Sequence, residues 1–73
     1  MKLSLSHLQT NQEASIRRVH GPSSLSHRLQ ELGFTPGTAV RLVAKAAFGG
    51  AMAFQLRGSI IALRRSDAAC VEI

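Results

Sequence analysis

The candidate metal ligands of this sequence are histidines, one cysteine and two carboxylates: His7, His20, His27, Cys70, Asp67 and Glu72. No two histidines stand at i, i+2 or i, i+4, the spacings that aim two imidazoles at one ion from a strand or a helix. A single cysteine gives no Cys/His pattern of the structural zinc type. His20 and His27 flank a predicted turn and could come close. We expect no metal or cofactor site beyond weak or adventitious divalent-ion binding by surface histidines.

Residues suited to catalysis are present but scattered. Serine, histidine and aspartate all occur, yet no G-x-S-x-G motif does. The four acidic residues are Glu13, Glu31, Asp67 and Glu72. No pair of them is placed by local spacing for general acid–base work. Gly49-Gly50 lacks the lysine and hydroxyl that complete a phosphate-binding loop. The sequence therefore predicts that the protein is not an enzyme.

Composition predicts one small folded domain over residues 1–73. Hydrophobic residues make up 45% of the 73 residues, enough to form a core. The formal net charge of +5 favours a phosphate-bearing or acidic partner without choosing among nucleic acid, a membrane surface and an acidic protein. The most apolar run, residues 60–63, is far too short to cross a bilayer. The N-terminus lacks a signal-peptide pattern, so we expect a cytoplasmic protein without membrane insertion.

A short amphipathic helix is the element that the rest of the chain must position. Leu25, Leu29 and Leu32 fall at i, i+4 and i+7, which places them on one helical stripe. Such a helix is too short to persist alone, so this stripe should dock on a core. Serine hydroxyls after Pro22 are expected to cap its start. Gly33 is expected to end it with a positive φ, as Gly37 does in the following turn.

Five short strands are predicted around this helix. They are expected at 14–20, 40–45, 52–57, 60–64 and 70–73, from the alternation of apolar and polar residues. Ala44 is expected to face inward with Val40 and Leu42, and Glu72 outward. One helical turn capped by Ser66 should precede the last strand. Because short strands must protect their edges, we predict a mostly β, partly open barrel, with the helix between strands one and two.

The order and spacing of several motifs resemble the FeoA family over nearly the whole chain. The matching residues are Arg28-Leu29, Leu32-Gly33-Phe34, Pro36-Gly37, Val40, Arg57-Gly58, Ala62-Leu63-Arg64, Ala68 and Val71–Ile73. The resemblance implies an SH3-like fold and a role beside FeoB, a membrane transporter of ferrous iron with a cytoplasmic GTPase-type domain. Asn11 stands where the family often has glycine, and Ala47 and Ala51 stand where it often has proline. Loss of proline widens the conformations open to the 47–51 loop.

Nucleic-acid binding by a small basic β-barrel is the main alternative function. The charge is suitable, but tyrosine and tryptophan are absent. Phe34 and Phe54 are expected to face the core, which leaves Phe48 alone for base stacking. We therefore expect nucleic acid to be an improbable partner.

The predicted partner surface for a FeoB-like transporter combines a loop with a helix face. The loop residues are Ala47, Phe48, Gly49 and Gly50, and the helix residues are His27, Gln30 and Glu31. An exposed aromatic residue at a loop tip often marks an interface. An equally good interpretation has Phe48 folding back to cap the barrel. Pairing of an unfilled barrel edge with a second copy would give a homo-oligomer.

Overall fold

The computed structural model describes residues 3–73 as six strands and two helices. The bounds are β1 (Glu13–Ser15), β2 (Arg18–Val19), α1 (Ser23–Glu31), β3 (Ala39–Lys45), β4 (Met52–Leu56), β5 (Ser59–Leu63), α2 (Arg65–Ala68) and β6 (Val71–Glu72). Two 3₁₀ turns lie at Leu5–His7 and Ala47–Gly49. No helix within residues 3–73 has the length and apolar character needed to span a bilayer.

The strands form two antiparallel sheets that do not close into a barrel. The larger sheet has the order β1-β3-β4-β5, and β2 pairs with β6 in the smaller one. The predicted first strand is wrong as a single element, because the chain changes sheets within it. Ile16 N–H donates to the carbonyl of Thr38, whereas Arg17 N–H donates to the carbonyl of Glu72. The mostly β prediction is confirmed, with six strands instead of five.

One hydrophobic core joins both sheets, helix α1 and the first 3₁₀ turn. Leu29 is fully buried in it, and Met52, Phe54 and Leu56 alternate inward along β4 as predicted. The rings of Phe34 and Phe54 meet edge to face, with centroids 6.2 Å apart. The predicted docking of α1 on the core through Leu29 is confirmed.

Two expectations about α1 are wrong. Leu32 is 43% exposed, because the helix ends at Glu31 and Leu32 is the residue that caps its C-terminus. No side-chain hydroxyl caps the start of the helix, since Pro22 occupies the N-cap position. Ser66 likewise lies inside α2, whose N-cap is Arg64, and gives no side-chain cap. Backbone geometry and tertiary packing therefore set these helix ends.

Backbone irregularities explain the other differences. The register of β3 against β4 shifts between Leu42 and Ala44, so Ala44 is exposed and not inward as predicted. Gly33 and Gly37 have φ of 112° and 88°, which confirms the turns that close the helical segment. Asn11 adopts a φ of 71°, so asparagine supports the turn for which glycine is common in the family.

Candidate partner-binding surface

Phe48 stands at the tip of the β3–β4 hairpin with its side chain in solvent. Its relative exposure is 106%, the highest among the large apolar residues in the described part of the chain. The expectation that Phe48 folds back to cap the barrel is therefore wrong. A full-sized aromatic ring in water forgoes the stabilisation that burial would give it. The exposed ring is therefore available for contact with another molecule.

The backbone of the loop presents Phe48 in a conformation that aromatic residues seldom adopt. Phe48 has φ 59° and ψ 35°, the left-handed helical region, and Gly49 follows with a φ of 74°. For an L-residue with a bulky side chain this region costs about 1–2 kcal/mol. A hydrogen bond of 2.8 Å from Ala46 N–H to the carbonyl of Ala51 closes the base of the loop. Exposure and local backbone strain therefore coincide at Phe48.

Basic side chains lie beside this aromatic tip. Lys45 ends β3 immediately before the loop. The side chain of Arg65 in α2 lies about 4.0 Å from the position that a Cβ on Gly49 would occupy. The acidic residues Glu13, Asp67 and Glu72 are already engaged with basic side chains elsewhere in the described structure. The loop thus carries an exposed apolar side chain, with Lys45 before it in the chain and Arg65 close to Gly49.

The three predicted residues of the helix face are all exposed. His27, Gln30 and Glu31 lie on α1, away from the buried Leu29. The amide of Gln30 donates to the hydroxyl of Ser26 at 3.0 Å. Helix α1 packs against β2, whereas the Phe48 loop lies beside α2. The structure therefore places the two parts of the predicted surface on different elements: the loop connects β3 and β4, and the helix face lies on α1.

Four of the candidate metal ligands, His7, His27, Asp67 and Cys70, lie in separate surroundings. His7 Nδ1 accepts from the backbone N–H of Ser4 at 3.0 Å, and Cys70 Sγ lies 3.6 Å from the carbonyl oxygen of Ser66. Asp67 pairs with Arg28 at 3.6 Å. His27 is exposed on α1. Within residues 3–73, no three His, Cys, Asp or Glu side chains are arranged to hold a metal ion.

The structure also joins residues that sequence reasoning left apart. His20 Nε2 lies 2.7 Å from Glu72 Oε1, and Arg17 Nε lies 3.9 Å from the other carboxylate oxygen. Glu72 is only 8% exposed, so its predicted outward orientation is wrong. The hydrogen bond to His20 and the contact with Arg17 allow the carboxylate to lie inside the fold. It borders a pocket of about 340 Å³ that is also lined by His7 and Ser4. No local sequence pattern predicts this pair, because 52 positions separate His20 from Glu72.

A groove between α1 and the end of β5 is the second feature that the sequence did not reveal. Its volume is about 590 Å³. The lining residues are Leu25, Arg28, Leu32, Ala62, Leu63, Arg64 and Asp67. The exposed Leu32 side chain contributes to its apolar wall. The helical spacing of the three leucines gave no signal for it, because that pattern assigns all three to the core.

Comparison with known proteins places this architecture in one family. The FeoA domain model matches residues 3–73. A curated relative from Porphyromonas gingivalis, the Fe(2+) transport protein A/Fe(2+) transporter FeoB fusion protein, is 33% identical over 69 residues. That match covers 94% of this chain but only 8% of the fusion protein, so this chain corresponds to a small part of its relative.

Solved structures agree in fold. FeoA of Stenotrophomonas maltophilia, solved in complex with zinc and described as a prokaryotic SH3 domain protein, superposes with a TM-score of 0.83 at 36% identity. The match covers 94% of this chain and 86% of that one. Iron(II) transport protein A from Clostridium thermocellum gives a TM-score of 0.90 at 28% identity, covering 96% of this chain and 43% of that one. The predicted SH3-like fold is therefore confirmed.

Proposed function

This chain belongs to the FeoA family, and we propose that it is a cytoplasmic accessory protein of bacterial ferrous iron transport that docks on a FeoB-like membrane transporter. The observation that carries the proposal is the Porphyromonas gingivalis relative, in which a segment 33% identical to this chain is fused to FeoB. Fusion raises the effective concentration of one module near the other, which is useful when the two must contact each other. A separate chain would need a docking surface to reach the same arrangement.

Phe48 is the proposed anchor of that surface. Its ring is fully exposed on a hairpin whose two strands belong to the interior of the larger sheet, so a rigid scaffold presents it. Lys45 and Arg65 would orient the approach of an acidic partner surface and raise the association rate. The loop residues Ala47, Gly49 and Gly50 would frame the anchor. The exposed residues His27, Gln30 and Glu31 of α1 would form a secondary contact.

Nucleic-acid binding is the weaker candidate, because a single phenylalanine ring is exposed among the described residues and base stacking normally uses several. Phe34 and Phe54 are both buried against each other, with no ring face available to a base. Single-strand binding proteins stack successive bases on several aromatic side chains. The basic surface of this chain would give salt-dependent, nonspecific attraction to phosphates and nothing further.

Direct binding tests the proposal. The purified protein would be immobilised and exposed to the detergent-solubilised FeoB-like transporter of the same host. Truncating a buried interface aromatic costs at least about 2 kcal/mol, so Phe48→Ala should weaken binding at least about thirtyfold. Leu3→Ala is the control, since it also truncates an exposed apolar residue, but one that lines the pocket beside His20 and Glu72. Absence of binding by the parent protein, or capture only of nucleic acid that salt releases, would contradict the proposal.

A further inference from the structure

Strand β5 forms one edge of the larger sheet and lacks the usual protection of an edge strand. Its residues Ser59 to Leu63 include no charge and no proline. They pair with β4 in an uninterrupted register, without a bulge. Ile60 is 66% exposed and Ala62 is exposed on the same face. Proteins commonly protect such edges with lysine, proline or a bulge, because unpaired N–H and C=O groups are a template for another strand.

The turn before β5 determines which backbone groups point away from the sheet. Arg57 and Gly58 have φ of 49° and 78°, as the two-residue type I′ hairpin requires. In such a hairpin the flanking residues, Leu56 and Ser59, form a hydrogen-bonded pair, and bonded and non-bonded pairs then alternate. The backbone N–H and C=O of Ile60 and Ala62 therefore face outward. In residues 3–73, no backbone hydrogen bond outside the sheet ladder involves either residue.

The groove beside α1 continues this edge. Ala62 and Leu63 of β5 line it together with Leu25 and Leu32 of α1. A strand added to β5 would direct alternate side chains towards this groove, since successive side chains of a strand point to opposite faces. Backbone hydrogen bonds and a pocket for alternate side chains are the two components of recognition by strand addition.

The charges at the two ends of β5 determine which kind of strand can pair with its free edge. Arg57 precedes β5, and Arg64 and Arg65 follow it, so basic residues stand at both ends of an uncharged strand. Antiparallel pairing of two copies would bring these opposite ends together as like charges, which is unfavourable. We propose that the β5 edge binds an extended segment of another protein, apolar in its middle and acidic at its ends. This surface adjoins the Phe48 loop at Arg65 but uses the edge of β5, and its existence does not depend on a FeoB-like partner.

A capped peptide, Glu-Val-Thr-Val-Thr-Val-Glu, is a suitable probe in titrations of the ¹⁵N-labelled protein followed by NMR. Amide shifts should change along β5 and at Leu32, and hydrogen exchange should slow at the outward amides of Ile60 and Ala62. The amide of Ile61 faces β4 and should gain little protection. A peptide with lysine in place of both glutamates should bind at least about tenfold more weakly, as should one with proline at its centre.

Two variants separate strand addition from general attraction. Ala62→Pro removes an outward N–H and leaves the ladder to β4 intact, and should weaken peptide binding about tenfold. Ala62→Glu leaves the backbone unchanged and should weaken binding by charge repulsion, which keeps the test valid should the proline variant fail to fold. Ala44→Glu is the matched control on an exposed position of β3, an interior strand.

Three results would overturn the proposal. One is that the amide shifts change mainly outside β5, or that no amide shift changes at millimolar peptide. Another is equal affinity for the glutamate and lysine peptides. The third is protection of Ile60 and Ala62 that grows with protein concentration in the absence of peptide, which would assign the edge to a second copy.

Discussion

His20 Nε2 and Glu72 Oε1 lie 2.7 Å apart, so the residue that follows β2 is joined to strand β6. A hydrogen bond contributes about 0.5–1.5 kcal/mol net to stability, and the His20 side chain left behind is 40% exposed and can bond to water instead. Glu72→Ala should therefore lower the free energy of unfolding by about that amount, measured by urea denaturation. Glu31→Ala, at an exposed position on α1, is the control. Equal stability of the two variants would show that the buried carboxylate contributes nothing.

Leu29 should carry much of the stability that α1 contributes. It is fully buried, so Leu29→Ala should cost about 2–5 kcal/mol, a large share of the stability of a small domain. Leu32→Ala makes the same chemical change three positions later, where the side chain is 43% exposed. It should therefore cost much less. Thermal melting compares the two, and similar losses would contradict the assignment of Leu29, and not Leu32, to the core.

Gly33 combines a backbone requirement with a steric one. Its φ is 112°, and an added Cβ would lie 3.3 Å from Leu56 Cδ1. Gly37 also has a positive φ, of 88°, but an added Cβ would meet nothing within 4 Å. Gly37→Ala should cost about 1–2 kcal/mol from the backbone alone, and Gly33→Ala should cost more. An unchanged melting temperature for Gly33→Ala would contradict the turn geometry.

Ferrous iron should bind the isolated chain weakly at most. His20 is already bonded to Glu72, and His7 to the backbone of Ser4. Coordination of Fe(II) by these histidines would require their present hydrogen bonds to break. Anaerobic calorimetry should accordingly show no stoichiometric binding at submicromolar Fe(II). Tight binding that is lost in His20→Ala would reverse this expectation.

Local sequence patterns predicted the parts of the fold that depend on residues close together in the sequence. Period-two alternation identified the inward residues Met52, Phe54 and Leu56, and the glycine turns followed from their backbone freedom. The exposure of Ala44 could not be predicted, because a bulge depends on pairing with β4. Burial of Glu72 likewise depends on residues 52 positions away. Such outcomes are set by tertiary contacts that no short window of sequence contains.

The direction of the Phe48 side chain could not be predicted from the sequence. The glycine-rich loop and its single aromatic residue pointed to Phe48, yet equally allowed the ring to fold inward. The left-handed conformation at Phe48 and the closing bond from Ala46 to Ala51 settle the direction of the side chain. Neither feature has a sequence signature, because bulky residues rarely adopt a positive φ.

Ferrous iron uptake by the host tests the account most directly. A strain lacking this protein would be complemented with the parent, Phe48→Ala or Leu3→Ala, and the initial rate of Fe(II) uptake measured at matched protein levels. Deletion should lower uptake, and the parent and Leu3→Ala should restore it. Phe48→Ala should fail to restore it while melting at the temperature of the parent. Full restoration by Phe48→Ala would exclude Phe48 as the anchor, and unchanged uptake after deletion would contradict the accessory role itself.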